Sequence, residues 1–294
     1  MISPVRYLFI FQGGEDNQPL RKELSRQLKE LDNGVEYDFY VAADAEDVLR
    51  HVSLFCDLHK DLDTCFVACG DDALTSGVAA GLMGAGEGKT MAVFDPEGSG
   101  SLPRNYEGAP FGNVAAIMAG AVTSLDMIRV NNTYSVNACT FGIDSPDGSA
   151  DSGYIPTLSA VLRRSLRSVK ISADGIPLDS GAVFAFALAG GRYAPGGRFC
   201  APQARNDDGQ IDLCIVKNQA PARLLKVLSA LASGAYDDEP AFAGDLILRR
   251  AKSLEIESPK DIVLSVDGRP LSGRQFKVRI IPGAIRMVVP AERG

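Results

Sequence analysis

Three clusters of small and acidic residues mark where this chain could do chemistry. The first is Gly70-Asp71-Asp72, which follows the apolar run Cys65 to Cys69 and precedes Leu74, Val78 and Leu82. The unbroken apolar run predicts a parallel strand covered on both faces. The four-residue recurrence, with Gly77 and Gly81 on the next stripe, predicts a tightly packed helix. An acidic turn between them lies at the carboxyl end of a parallel sheet, where open α/β proteins bind ligands. The free amides of the helix favour an anion there, usually a phosphate. Two carboxylates would repel it unless one holds a cation or accepts a proton. The same residues also describe a helix simply capped by Asp.

The second cluster is the loop from Phe94 to Gly108, dense in Gly, Pro and Ser. The amides around Gly98 and the hydroxyls of Ser99 and Ser101 suit a nucleotide phosphate, although such a composition equally marks an ordinary surface loop. The third runs from Gly196 to Val216, where an Ala-Pro turn leads into Asp207-Asp208-Gly209, and Asp212 follows on an alternating strand. A carboxylate beside glycine and free carbonyls makes a loop for a hard cation; Asp-Gly is also a hairpin signal.

Other motifs fail. The stretch Gly84 to Thr90 resembles a P-loop but has Met83 where the first glycine belongs, and a strand follows instead of a helix. Gly98-Ser99-Gly100 opens a dinucleotide fingerprint that Pro103 interrupts. The six cysteines form no CxxC pair and read as buried free thiols of a cytoplasmic chain. His51 and His59 fall in a predicted helix with no motif around them. A net charge of −7 supplies no global field for nucleic acid. No apolar run approaches the roughly 20 residues of a membrane span, and the N-terminus lacks a signal-peptide layout.

The elements that must position these clusters follow from periodicity. The 294 residues, 46% hydrophobic and 23% charged, suit a soluble globular chain of one large domain or two ordinary ones. Strands at Arg6 to Gln12, Val35 to Val41, Cys65 to Cys69 and Thr90 to Phe94 alternate with helices at Pro19 to Leu31, Asp44 to His59 and beyond Asp72. That alternation predicts a three-layer α/β domain with a parallel sheet over residues 1–125. From Asp126 to the C-terminus, short β-type runs separated by turns predict an antiparallel β-sandwich over 126–294. Helical inserts at Ile155 to Arg167 and Pro221 to Ser233 interrupt it, and an edge strand leaves homodimerisation open.

Together the motifs resemble the diacylglycerol kinase catalytic-domain family of bacterial lipid kinases, related to sphingosine kinases. The resemblance covers nearly the whole chain. The family's Gly-Gly-Asp-Gly-Thr turn is similar to Cys69-Gly70-Asp71-Asp72-Ala73, and its Pro-x-Gly-Thr-x-Asn loop to Pro96 through Ser101. Its Gly-Gly…Ala-Pro…Asp-Asp-Gly-x-x-Asp run resembles Gly197 through Asp212. Its closing Asp-Gly-Glu and Pro-Gly-Ala resemble Asp267-Gly268-Arg269 and Pro282-Gly283-Ala284.

The resemblance implies an α/β nucleotide domain followed by a β-sandwich, and transfer of the ATP γ-phosphoryl group to a lipid hydroxyl, with Mg²⁺. The acceptor would be diacylglycerol or a similar alcohol, met peripherally at the inner face of the membrane. Nucleotide contacts would fall on Gly70, Asp71, Asp72, Gly98 and Ser99. A metal would sit at Asp208, helped by the carbonyls of Arg205 and Gln210, and Asp144 resembles a further acidic position. The departures are specific. The proton-accepting Glu of the family is Arg269 here, and a guanidinium cannot act as a base at neutral pH. Asp72 and Ala73 replace a glycine and a threonine, and Ser101-Leu102 replace Asn-Asp. Asp71 or Asp267 is then left to accept a proton, and Arg269 to meet a phosphate. Three readings follow: a lipid kinase, a pseudokinase that binds nucleotide or lipid without turnover, and a kinase for a soluble hydroxyl compound.

Overall fold

The computed structural model describes residues 6–13, 17–31, 34–142, 167–178, 182–233, 242 and 244–291. The chain divides into two compact units, Met1–Leu125 with Gly283–Gly294, and Asp126–Pro282.

The first unit alternates strand and helix: β1 (Arg6–Gln12), α1 (Gln18–Leu31), β2 (Glu36–Ala42), α2 (Ala45–Leu58), β3 (Thr64–Cys69), α3 (Asp72–Gly81), β4 (Lys89–Val93) and a short α4 (Val114–Met118). Its strands are parallel in the order β4-β3-β1-β2, with Phe9 level with Val67 and Cys65 with Thr90. Both faces are covered, so all six residues of β3 are buried. Leu24 and Leu28 of α1 and Val114 and Ile117 of α4 pack with Tyr7, Phe9, Cys65 and Val67. On the other face, Phe55 of α2 meets Phe66 edge-on at 5.4 Å. The glycine stripe of α3 lies against α2. A Cβ on Gly77 would stand 2.7 Å from the Ala45 carbonyl, and one on Gly81 2.7 Å from Val52 Cβ. The helices approach this closely because those positions carry no side chain.

The second unit begins within β5 (Ala121–Val130) and continues through β6 (Thr133–Ser135), β7 (Ala138–Phe141), β8 (Arg167–Ser168), β9 (Lys170–Ala173), β10 (Ile176–Leu178) and β11 (Ala182–Ala189). Then come β12 (Tyr193–Ala194), β13 (Arg198–Phe199), β14 (Ile211–Lys217), α5 (Pro221–Ser233), β15 (Leu246–Ala251), β16 (Ser253–Val266) and β17 (Arg269–Val289). The main ladder is antiparallel in the order β15-β14-β11-β7-β16-β17. Alternation along β11 sends Phe186 and Leu188 into one core, while Ala185, Ala187 and Ala189 face Leu224, Val227 and Leu231 of α5. This is the α/β and β-sandwich architecture expected from the sequence.

The details differ in instructive places. The helix expected from Asp44 to His59 is bounded by those residues as caps, with Asp44 accepting from the amides of Glu46 and Asp47. The run Tyr134 to Phe141 is two strands rather than one. Residues Gly283–Gly294 belong to the first unit, because the end of β17 runs parallel beside β4, pairing Met287 with Met91. The insert expected at Ile155 to Arg167 lies outside the described residues except for Arg167, which is in β8.

Candidate active site

In the first unit, β3 ends and α3 begins at the acidic turn. Asp71 is the N-cap: its carboxylate accepts from the Leu74 amide at 2.8 Å, and its carbonyl accepts from the Thr75 hydroxyl at 3.0 Å. Asp71 is exposed, and its second carboxylate oxygen takes no hydrogen bond among the described residues. Asp72 is placed otherwise. Only 8% exposed, it accepts from the amide and the hydroxyl of Ser101, both at 2.8 Å, and Ser101 is wholly buried. Asp72, expected as a nucleotide contact, ties the turn to the second loop. The first helical turn favours that charge, and two donors on one serine satisfy both of its oxygens.

The second loop is likewise held from within. Asp95 accepts from the amides of Ser99 at 3.2 Å and Gly100 at 2.8 Å, and Asn105 donates to the Ser101 carbonyl at 3.0 Å. The amides expected to greet a phosphate are engaged by Asp95, and the Ser101 hydroxyl by Asp72. The Ser99 hydroxyl is exposed and makes no hydrogen bond among the described residues. Asp95 carried one sequence signal that went unused, since an Asp before Pro initiates turns.

In the second unit, Asp267 and Gly268 form the two-residue turn between β16 and β17. Both have positive φ, 45° and 84°, as a type I′ hairpin requires. Asp267 is wholly buried, and its carboxylate accepts from the amides of Val136 at 2.7 Å, Asn137 at 3.2 Å and Ala138 at 3.0 Å. Those amides are the break between β6 and β7. Asp267 thus ties the β16–β17 turn to that break, with both carboxylate oxygens accepting from backbone amides. Arg269 opens β17, half-buried, and donates to the Tyr134 carbonyl at 3.1 Å.

The loop before β14 is stapled by groups the sequence reading missed. Buried Asp126 accepts from the Gly209 amide at 2.6 Å, and its own amide donates to the Asn206 carbonyl at 2.8 Å. Arg250, on β15, donates to Asp208 at 2.8 Å, to Asp212 at 3.2 Å and to the Gln203 carbonyl at 3.3 Å. Gln210 presents its amide to Asp208 at 3.1 Å, and Arg205 pairs with Asp207 at 3.1 Å. Burial pushes the Asp212 carboxyl above its ordinary value; Arg250 opposes that shift and Asp208 adds to it. Of the set Asp208, Arg205 and Gln210 expected to hold a divalent ion, the Asp208 carboxylate is engaged on one oxygen by the Arg250 guanidinium and on the other by the Gln210 backbone amide. Asp144 lies outside the described residues. Neither Asp126 nor Arg250 belongs to a motif, so nothing in the sequence singled them out.

Comparison with known proteins agrees with this architecture. Residues 136–289 match the YegS C-terminal NAD kinase beta sandwich-like domain, which is more than half of the chain. A Pseudomonas aeruginosa protein named probable lipid kinase YegS-like is 29% identical over 76% of each chain. A Salmonella gallinarum protein named probable lipid kinase YegS is 25% identical over 98% of this chain and 97% of its own. In fold, the chain is similar to a diacylglycerol kinase structure from Bacillus anthracis, with TM-score 0.72 at 17% identity over 98% of both chains. It is similar also to yeast NADH kinase complexed with NADH, with TM-score 0.51 at 12% identity over 98% of this chain and 84% of the other. With residues 136–289, more than half of its length, matched by that domain, this chain belongs to the YegS family.

Proposed function

We propose that this protein is an ATP-dependent lipid kinase that transfers the γ-phosphoryl group to a lipid hydroxyl such as that of diacylglycerol. The observation that carries the reading is family membership together with an acidic turn at the head of α3 that is tied through Asp72 to the second loop. Phosphoryl transfer asks a protein mainly for positioning and charge neutralisation, and two loops locked together supply a fixed frame. In this reading Gly70, Asp71, Gly98 and Ser99 meet the nucleotide, and Asp71 accepts the hydroxyl proton through its open carboxylate oxygen. Arg269 supplies a permanent positive charge for a phosphoryl group. Mg²⁺ bound to the nucleotide would supply charge to offset its phosphates. A lipid would be met at the membrane surface, since among the described residues no helix is long and apolar enough to cross one. Self-association would use an edge strand; the edge strand β15 carries exposed Arg249 and Arg250, which discourage pairing there.

A second reading, binding without turnover, is favoured by two features: Arg269 in place of the family's Glu, and the commitment of Asp267 to three amides. Incubation with γ-labelled ATP, Mg²⁺ and diacylglycerol micelles separates the two. The kinase reading expects label in the lipid phase. No labelled lipid, with ATP still raising the melting temperature, would favour binding alone.

A further inference from the structure

We infer that Arg250 is a built-in counter-cation: its guanidinium closes the loop Gln203 to Asp212 in the place where a hard cation would otherwise bridge the carboxylates. The geometry begins with strand register. Arg250 stands directly opposite Asp212 in the antiparallel pair β14-β15, so its reach toward the loop is set by backbone pairing. From there one planar fork spans three acceptors, the carboxylates of Asp212 and Asp208 and the Gln203 carbonyl. A guanidinium suits this task because its donors are fixed in a plane and its charge is permanent.

A hard divalent ion asks for something different. It needs several oxygens converging on one point. Here one Asp208 oxygen accepts from Arg250 and the other from the Gln210 amide. Bringing a dication to the same carboxylates would set it against a fixed positive charge at a few ångströms, a repulsion that grows as solvent is excluded. Both carboxylate side chains are mostly shielded, at 17% and 14% exposure. Elsewhere in the loop Asp126 holds Gly209 and Asn206, while the second carboxylate oxygen of Asp212 is buried with no hydrogen-bond partner among the described residues. The loop therefore keeps its shape without a divalent ion, and it does so whether or not the protein transfers phosphate.

The test uses the full chain without nucleotide. Metal content is measured after gel filtration, and thermal unfolding is followed with EDTA, MgCl₂ or CaCl₂, for wild type and Arg250→Met. The wild type is expected to carry only substoichiometric divalent metal and to unfold at one temperature in all three conditions. Arg250→Met is expected to unfold on the order of 2–4 °C lower, because two mostly buried carboxylates lose their partner although the guanidinium itself is exposed. Mg²⁺ or Ca²⁺ should then raise its midpoint, because the two freed carboxylates can share the ion. A stoichiometric metal in the wild type, or a midpoint that falls with EDTA, would overturn the inference even if the variant fails to fold. A variant that matches wild type would overturn it too. So would a variant that falls without metal rescue, because Arg250 would then act through its fork and not in place of a cation.

Discussion

Asp72 stands where the family pattern has glycine and Ser101 where it has asparagine, and in this chain the two bind each other. Two unusual residues in different motifs become a single unit, a carboxylate with both oxygens bonded to one buried serine. Charge-assisted hydrogen bonds of this kind contribute about 1.5–3 kcal/mol each, and removing one partner leaves the other buried without it. Asp72→Gly is accordingly expected to destabilise the protein by about 2–4 kcal/mol. A double-mutant cycle with Ser101→Ala should show a coupling of at least about 1 kcal/mol. Additive losses in urea unfolding would mean that the two residues act separately. Asp267 is a second residue whose sequence motif suggests chemistry and whose surroundings say structure. Asp267→Ala leaves three amides without their acceptor and places a Cβ-bearing residue without a local hydrogen bond at positive φ, with an expected loss of about 3–5 kcal/mol. A loss below about 1 kcal/mol would contradict that role.

At the scale of elements, what was legible in the sequence was what repeats. The apolar run of β3 and the four-residue spacing of α3 fix a strand, a turn and a helix from periodicity alone. The glycine stripe of α3 is also visible, and its reason is the approach of α2. Gly81→Ala would bring a Cβ to 2.7 Å from Val52 and 2.9 Å from the Leu49 carbonyl. Its cost is expected to exceed the helix-propensity gain of roughly 1 kcal/mol and to leave a net loss of about 1–2 kcal/mol. A stabilised variant would show that α2 shifts freely. The legible part stops where one side chain acts across the fold. The division of Tyr134 to Phe141 into β6 and β7 depends on Asp267, more than a hundred residues away in sequence. The loop before β14 depends on Arg250 and Asp126. A local reading has no access to such partners, so the bonds of Asp208 to Arg250 and of Asp72 to Ser101 are not legible in it.

For the whole molecule, the order of helical and strand periodicities carried the fold class, and the distribution of thiols gives a further check. All six cysteines are free and buried. Burial pushes the Cys65 and Cys214 thiols up to about 12 and Cys56 to about 11, and raises Cys69 and Cys139 as well. The thiolate is the reactive form, so the folded chain should react slowly with a disulfide reagent near neutral pH and completely after denaturation. Rapid reaction of a thiol in the folded chain would contradict this packing. The functional account rests on a different balance. Family, fold and the locked loops favour a working kinase, while Arg269 removes the expected base, a loss that typically costs 10²–10⁴-fold. The reading resolves this by giving proton acceptance to Asp71. The most direct test compares phosphoryl transfer to diacylglycerol by wild type, Asp71→Asn and Arg269→Glu, each first shown to be folded. The account predicts turnover by the wild type and a fall of roughly 10²-fold or more in Asp71→Asn. A silent wild type beside an active Arg269→Glu would contradict it, and would mean that the fold kept its site and lost one acid.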